Sequence, residues 1–181
     1  MSDFVTALSG RKFAVNNRFL YSTKGAMCNE SAVQQVSDYL PLTFSCDGFP
    51  VQVKDKPQCG SCTSCLLRRV SLYAAGFSKF DPGDTYRVDL LGGDHSERQL
   101  RHLRVMEWQY QKIKRILNSQ SPWPSLMIEF PELRNISAEL ARVGDITEPE
   151  FQDRILKLYS HYVDEWDRFP ARKLLVRKRA A

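Results

Sequence analysis

The sequence has no long apolar segment and no secretion signal. No run of about 18 apolar residues, the length that a membrane-spanning helix needs, occurs in its 181 residues. The first residues, MSDFVTALSGRKFAV, carry a charge at Asp3 and contain no continuous apolar stretch before a small-residue cleavage site. Internal repeats are absent, and low complexity is confined to the last few residues. These absences predict a soluble, cytoplasmic chain with no membrane partner.

Basic residues are unevenly distributed along the chain. The overall composition, 43% hydrophobic and 26% charged, is that of an ordinary globular protein with a net charge of +5. The last 14 residues contain no acidic residue but carry six basic ones, which are Arg168, Arg172, Lys173, Arg177, Lys178 and Arg179. Such a tail either binds nucleic acid or another phosphate-rich partner, or is simply a solvated chain end.

The apolar pattern predicts short strands and one helix in the first part of the chain. Residues 18–21 and 42–46 are apolar enough for strands. Between them, Ser22 or Thr23 offers an N-cap hydroxyl for a helix that runs toward Tyr39 with one buried face.

The second part of the chain is predicted to be helical. A helix over residues 66–73 is expected to start inside a cysteine cluster and to stop at Gly76. Three longer amphipathic helices follow, and together they predict a C-terminal three-helix unit. They are a helix capped by Asp94 or Ser96 with a stripe from Leu100 to Leu117, one from Pro131 to Val143, and one from the Thr147 capping box to Phe169.

Four of the five cysteines lie within one 20-residue window, at Cys46, Cys59, Cys62 and Cys65. In a chain without a secretion signal, this clustering favours a metal over disulfides. Three thiols on one tight loop, with Cys46 closing the site across a 12-residue loop, supply the four soft ligands of a tetrahedral Zn²⁺ site. Because four protein ligands leave no open position for a catalytic water, the pattern predicts a structural zinc.

Other chemistries use similar cysteine runs, so the alternatives stay open at this point. An iron–sulfur cluster can be held by such spacing, as can a redox dithiol, and the thiols can also simply be buried. Around zinc, the negative charge of the thiolates is expected to be offset by backbone N–H groups, by the start of the helix at Cys65, and by nearby cations. Those cations are Lys54, Lys56, Arg68 and Arg69. Cys28 lies outside the window and is predicted to be a small apolar residue on its helix.

Several strings around the cysteines resemble one known family in a single collinear order. They are TFSC at residues 43–46, CGSCTSCLLR at 59–68, AAGF at 74–77 and FDPGDTY at 80–86. Upstream, Ser22, Thr23 and Lys24 resemble the Thr-Lys that opens a helix in that family. The resemblance is to the C-terminal end of the 7-cyano-7-deazaguanine synthase family, commonly called QueC, and it covers roughly residues 13–86.

This resemblance implies a Rossmann-like α/β enzyme of the ATP-pyrophosphatase class. Such enzymes adenylate the carboxylate of 7-carboxy-7-deazaguanine and use ammonia to form the nitrile in queuosine and archaeosine biosynthesis. The family's structural zinc ligands correspond to the four clustered cysteines. Lys24 is then a candidate for contact with a phosphate or a purine-like substrate.

The sequence also departs from the family. The Ser-Gly-Gly-x-Asp-Ser loop, whose backbone N–H groups bind ATP phosphates, is not found in the sequence. Position 26, where a Glu commonly completes the cap at Thr23, is Ala, and the helices after about residue 94 extend beyond the typical family member. The chain is therefore expected to be an ATP-dependent ligase only when a partner supplies the nucleotide-binding half, and to be inactive alone. Family members with altered architecture also occur in anti-phage defence clusters.

The predicted architecture is mainly α with short strands. A zinc-stapled loop of four cysteines packs on helices, as a remnant of the Rossmann-like fold, and is followed by the three-helix unit. We predict a zinc-binding region at residues 1–92, a helical extension at 93–170 and a basic tail at 171–181. The alternative function is a non-catalytic, zinc-stabilised module that binds protein or nucleic acid, and formation of a homo-oligomer is left open. The histidines His95, His102 and His161 belong to no motif and are predicted to be exposed.

Overall fold

The computed structural model describes residues 2–13, 17–48, 56–143, 146–172 and 174. This part of the chain is mainly helical. Its α-helices are α1 (Ser2–Ser9), α2 (Lys24–Cys28), α3 (Ser31–Gln35), α4 (Thr63–Ala74), α5 (Glu97–Leu117), α6 (Pro122–Glu129), α7 (Glu132–Val143) and α8 (Glu148–Arg168). Short 3₁₀ helices form at Ser37–Leu42, Ser78–Phe80 and Gly83–Thr85. Within these ranges the β pairing consists of one isolated parallel bridge between Gln58 and Tyr86.

The two predicted strands are wrong. Residues 18–21 form turns, with the Ser22 N–H donating to the Phe19 carbonyl oxygen at 3.0 Å, and residues 43–46 have no regular structure. A strand needs a neighbour for its peptide groups. Here the peptide groups form hydrogen bonds within local turns or with side chains instead. The Ser45 N–H, for example, donates to the Gln58 side chain at 3.4 Å.

The helix predicted from Thr23 toward Tyr39 is broken into α2, α3 and a 3₁₀ helix. The N-cap is confirmed, because Thr23 Oγ1 accepts the Ala26 N–H at 3.0 Å. Beyond α2 the apolar side chains do not share a buried face, since Val36 is 47% and Tyr39 65% exposed. Pro41 lies within the 3₁₀ helix instead of ending an α-helix.

The helices predicted after residue 93 are confirmed, and one more is present. Ser96 and Gln99 form a reciprocal capping box at the start of α5, and Thr147 caps α8. The helix α6, which sequence periodicity missed, contributes buried Trp123 and Leu126. It begins with a proline and has only eight residues, so it is too short for a periodic row of apolar residues to be recognised in the sequence. The predicted three-helix unit therefore contains four helices.

The largest core cluster joins α4 to α5 and α8. Leu66 and Val70 of α4 pack in one cluster with the buried stripe of α5 and with Trp166 of α8. Leu90, from the segment between the last 3₁₀ helix and α5, is fully buried in the same cluster. Because α4 is fixed by this core, its N-terminal end has a defined position, and the cysteine loop ends there.

A buried carboxylate fixes α2 against α8. Glu165 accepts a hydrogen bond from the Thr23 hydroxyl, and burial raises the pKa of the Glu165 carboxyl. A Cβ on Gly25 would lie 2.5 Å from the Glu165 carboxylate, so this position requires glycine. Position 26, where a Glu would complete a capping box with Thr23, is an alanine. The carboxylate at the start of α2 is instead that of Glu165, which lies on α8.

No helix in the described part of the chain is both long and apolar enough to cross a membrane. The proposed division of the chain at residues 92 and 170 stays a prediction.

Candidate metal centre

The four clustered cysteines converge on one point. Their Sγ atoms all lie within 4.8 Å of one another, and Cys46 and Cys65 are buried while Cys59 and Cys62 are half-buried. Around a single tetrahedral zinc, with Zn–S bonds of about 2.3 Å, sulfurs stand roughly 3.8 Å apart. Small side-chain adjustments would bring this set to that geometry. The cysteines are therefore positioned to hold a metal ion, as the sequence predicts.

Backbone N–H groups point at three of the sulfurs. Cys46 Sγ accepts from Gly48 N and from Cys59 N, both at 3.4 Å. Cys59 Sγ accepts from Cys62 N at 3.3 Å, and Cys62 Sγ accepts from Cys65 N at 3.4 Å. Donors of this kind stabilise thiolate charge, so the loop backbone supplies the compensation predicted for it.

The loop ends in the first turn of α4. Cys62 is the N-cap of this helix, and its sulfur takes the place that a hydroxyl oxygen usually has in a cap. Thr63 starts the helix, and Cys65 lies in its first turn with no exposed surface. The core that holds α4 therefore also orients two of the four ligands.

The other end of the loop is held by residues 86–88. The N–H groups of Arg87 and Val88 donate to the carbonyls of Gln58 and Cys59 at 2.9 and 3.1 Å. Gly60 turns the chain there with a φ of +81°, and a Cβ at this residue would lie only 2.0 Å from the Val88 carbonyl oxygen. Both the left-handed backbone and the close approach require glycine.

The thiols differ in acidity. Burial raises the pKa of Cys62 to about 11 and raises that of Cys65 further. Burial also acts on Cys59, but the N–H groups of Ser61 and Cys62 outweigh it and hold the Cys59 pKa below its ordinary value. Without a cation the site thus favours protonated Cys62 and Cys65, and a bound metal would displace those protons.

The arginines predicted to offset the thiolates have other partners. Arg68 donates to Asp81 at 3.0 Å and to the Leu40 carbonyl oxygen at 2.8 Å, and Arg69 donates to Asp89 at 2.6 Å. Lys56 donates to the Tyr86 carbonyl oxygen at 3.0 Å, and Lys54 lies outside the described residues. The short-range contacts of these arginines are thus with carboxylates, and their compensation of the thiolate charge stays a prediction.

A buried ionic network beside the cysteine loop was missed from the sequence. Asp81 is 7% exposed and bonds to Arg68 Nε at 3.0 Å, lies 3.6 Å from Arg69 Nε, and accepts from the Tyr86 hydroxyl at 2.7 Å. The Arg69 guanidinium lies over the Tyr86 ring at 4.5 Å. Tyr86 thereby links the network to the bridge at Gln58. The adjacent basic pair after the last cysteine, followed by FDPGDTY, is the only signal of it in the sequence.

The remaining candidate residues are not part of the four-cysteine cluster, although His102 contacts the residue that follows Cys62. Lys24 and Cys28 are on α2, Lys24 exposed and Cys28 half-buried with a raised pKa because of that burial. His102 is exposed and its Nδ1 lies 3.3 Å from the Thr63 hydroxyl, and His161 is exposed beside a cavity of about 200 Å³. His95, predicted to be exposed, is instead buried.

We expect Gly60→Ala to lower the free energy of unfolding by about 2 kcal/mol and to weaken metal binding, since the loop must move to relieve the contact with Val88. Gly93→Ala is the matched control. Gly93 has a similar φ of +74° but nothing within 4 Å of an added Cβ, so it tests the backbone cost alone. Urea unfolding and metal titration of both variants measure the difference. Equal effects of the two substitutions would contradict this role of Gly60.

No family model matches this chain, and neither curated proteins nor solved structures contain a significantly similar protein.

Proposed function

We propose that Cys46, Cys59, Cys62 and Cys65 hold one structural Zn²⁺. The observation that carries the proposal is the convergence of four sulfurs within 4.8 Å on a loop fixed at both ends. Four thiolates in a tetrahedron are typical of zinc, and with no open position the ion would cross-link the chain without binding substrate. It would join residue 46 to the start of α4.

The spacing of the sulfurs favours a single ion over a four-iron cluster. Such a cluster places a cube of iron and sulfide between its ligands, so its thiolates stand further apart than those around one ion. Here Cys59 Sγ and Cys65 Sγ are 4.0 Å apart. A redox dithiol needs only two thiols, whereas here buried Cys46 and Cys65 converge with Cys59 and Cys62, as the four ligands of one ion would.

We further propose that the chain is the zinc-bearing part of an ATP-dependent, 7-cyano-7-deazaguanine synthase-like enzyme. The support is the collinear order of the strings at residues 22–24, 43–46, 59–68, 74–77 and 80–86. In this proposal the region around the cysteine loop is a remnant of the Rossmann-like fold, and a partner chain contributes the nucleotide-binding half. The substrate would be a 7-carboxy-7-deazaguanine, either for queuosine-type biosynthesis or in a related anti-phage defence system.

Within that proposal, Lys24 is the candidate substrate contact. Its exposed side chain follows Thr23, which is held by Glu165, and precedes Gly25, which cannot be replaced without displacing Glu165. A rigid backbone on either side would present the ammonium group to a phosphate or a purine-like ligand on a docked partner.

The test measures metal content and ATP turnover separately. The purified chain should contain about one zinc per molecule and should release no pyrophosphate from ATP. Pyrophosphate release should appear when a chain with a Ser-Gly-Gly-x-Asp-Ser loop and 7-carboxy-7-deazaguanine are added, and Lys24→Ala should reduce it. ATP turnover by the chain alone would contradict the split enzyme, and iron in place of zinc would contradict the metal assignment.

A further inference from the structure

The solvent side of α5 carries a row of basic residues around an exposed tryptophan. Leu103, Met106 and Tyr110 face the core, and the residues on the opposite side of the helix are spaced by three or four positions. This outer row consists of Arg101, Arg104, Trp108, Lys112 and Arg115. At 1.5 Å per residue it spans about 21 Å.

Trp108 is unusual among the tryptophans of this chain. It is 59% exposed, and the neighbouring Val105 is 60% exposed, whereas Trp123 is 8% and Trp166 0% exposed. The Lys112 ammonium lies 4.6 Å from the centroid of the Trp108 ring. An exposed aromatic ring beside a cation is a surface on which a flat ring of a ligand can stack.

Much of the positive charge on this side of α5 is not neutralised. Arg104 pairs with Glu97 at 2.7 Å, and Lys112 pairs with Glu129. Arg98, Arg101 and Arg115, by contrast, make no ion pair within the described part of the chain. Two guanidinium groups of the row, those of Arg101 and Arg115, therefore have no carboxylate partner among the described residues, and Arg115 Nε donates to the Gln111 carbonyl oxygen at 3.4 Å.

Most of the basic tail predicted to bind nucleic acid lies outside the described residues. Its Arg172 donates to Glu107 of α5 at 2.7 Å and lies 3.2 Å from Asp167, so carboxylates already neutralise its charge.

We propose that the outer row of α5 is a binding surface for single-stranded nucleic acid. Arg101 and Arg115 complement backbone phosphates, and Trp108 supplies a platform on which an unpaired base can stack. A row of cations about 21 Å long with a ring between them matches the phosphates and bases that alternate along a single strand; an acidic protein or an anionic membrane, which can also bind Arg and Trp, is an outcome of the test. A duplex keeps its bases stacked inside, so it would leave Trp108 without a role. This surface is independent of the proposed enzymatic activity.

The test uses the full, metal-loaded chain and a fluorescein-labelled 20-nucleotide dT strand. Trp108→Ala should weaken binding about 5- to 100-fold, the range expected for loss of one stacked base. In the double variant Arg101→Gln/Arg115→Gln, binding should depend less steeply on salt. The negative slope of log Kobs against log salt should become smaller in magnitude by about 1.4, because each phosphate contact contributes about 0.7 for a single strand. Arg134→Gln is the matched control, because Arg134 is exposed on α7, which packs on α6 and α8. It should change neither quantity.

Tryptophan fluorescence gives a second measurement. Since the other two tryptophans are buried, quenching by an unlabelled dT strand should come from Trp108 and should disappear in Trp108→Phe. Circular dichroism and metal content should match the wild type in every variant. Three results would each overturn the proposal: unchanged affinity of Trp108→Ala, equal affinity for duplex DNA or heparin, or tighter binding to phosphatidylserine vesicles than to dT.

Discussion

Cys65→Ser is expected to abolish stoichiometric metal binding and to lower the free energy of unfolding by several kcal/mol. Cys65 is fully buried and its sulfur lies 4.0 Å from that of Cys59, so the substitution removes one of the four sulfur ligands from the inner side of the site. The binding energy of a structural metal contributes directly to the folding energy, because the unfolded chain has no preformed site. Metal analysis and urea unfolding in a zinc buffer measure both quantities.

Cys28→Ser is the control for this prediction, because Cys28 is half-buried on α2 and is not part of the cluster. It should retain the metal and most of the stability. A second check uses chelator. If the loss reflects the ion, wild-type protein stripped of metal should be about as unstable as Cys65→Ser, and the chelator should have little further effect on the variant. A variant that keeps one metal per chain and an unchanged unfolding midpoint would refute the structural site.

Asp81→Ala is expected to cost about 3–5 kcal/mol, the usual penalty for removing one partner of a buried ion pair. The substitution would leave Arg68 and Arg69 buried, at 5% and 3% exposure, without their shared carboxylate. It would also remove the acceptor of the Tyr86 hydroxyl, whose pKa is raised by burial and by Asp81 itself, so that Tyr86 stays a donor. Urea unfolding at neutral pH measures the loss.

The control for Asp81 lies three residues away. Asp84 is exposed, so Asp84→Ala should change stability by less than about 0.5 kcal/mol. Replacing Arg68 by Met in the Asp81→Ala background should restore part of the stability, because the uncompensated charge is then gone while Arg69 keeps Asp89 as its partner. If Asp81→Ala proves as mild as Asp84→Ala, the network does not hold the cysteine loop in place.

The features that could be predicted from the sequence depend on short-range contacts. The Thr23 cap, the Ser96 capping box and the end of α4 all involve residues within five positions of one another. At that end Gly76 has a φ of +78°, and the Phe77 N–H reaches back to the Leu72 carbonyl oxygen at 2.7 Å. The regular spacing of three cysteines belongs to the same class, since one tight turn brings them together.

What could not be predicted depends on partners that are distant in the sequence. The strands failed because a short apolar run does not reveal whether a neighbour will pair with it, and at residues 43–46 none does within the described chain. The ion pairs of the arginines beside Cys65 with Asp81 could not be predicted, because Asp81 lies 13 positions after Arg68. Glu165 gave no signal at all, since its contact with Thr23 joins residues 142 positions apart.

That last contact has a consequence for the order in which the protein can fold during synthesis. Thr23 leaves the ribosome 142 residues before Glu165, an interval on the order of ten seconds at usual translation rates. Trp166, which packs with Leu66 and Val70 of α4 in the core, is made 100 residues after Leu66. The four cysteines, by contrast, are complete at residue 65. A metal ion can therefore join the nascent loop while α4 still exposes its apolar face, and the ion would cross-link this region before α8 is made and covers it.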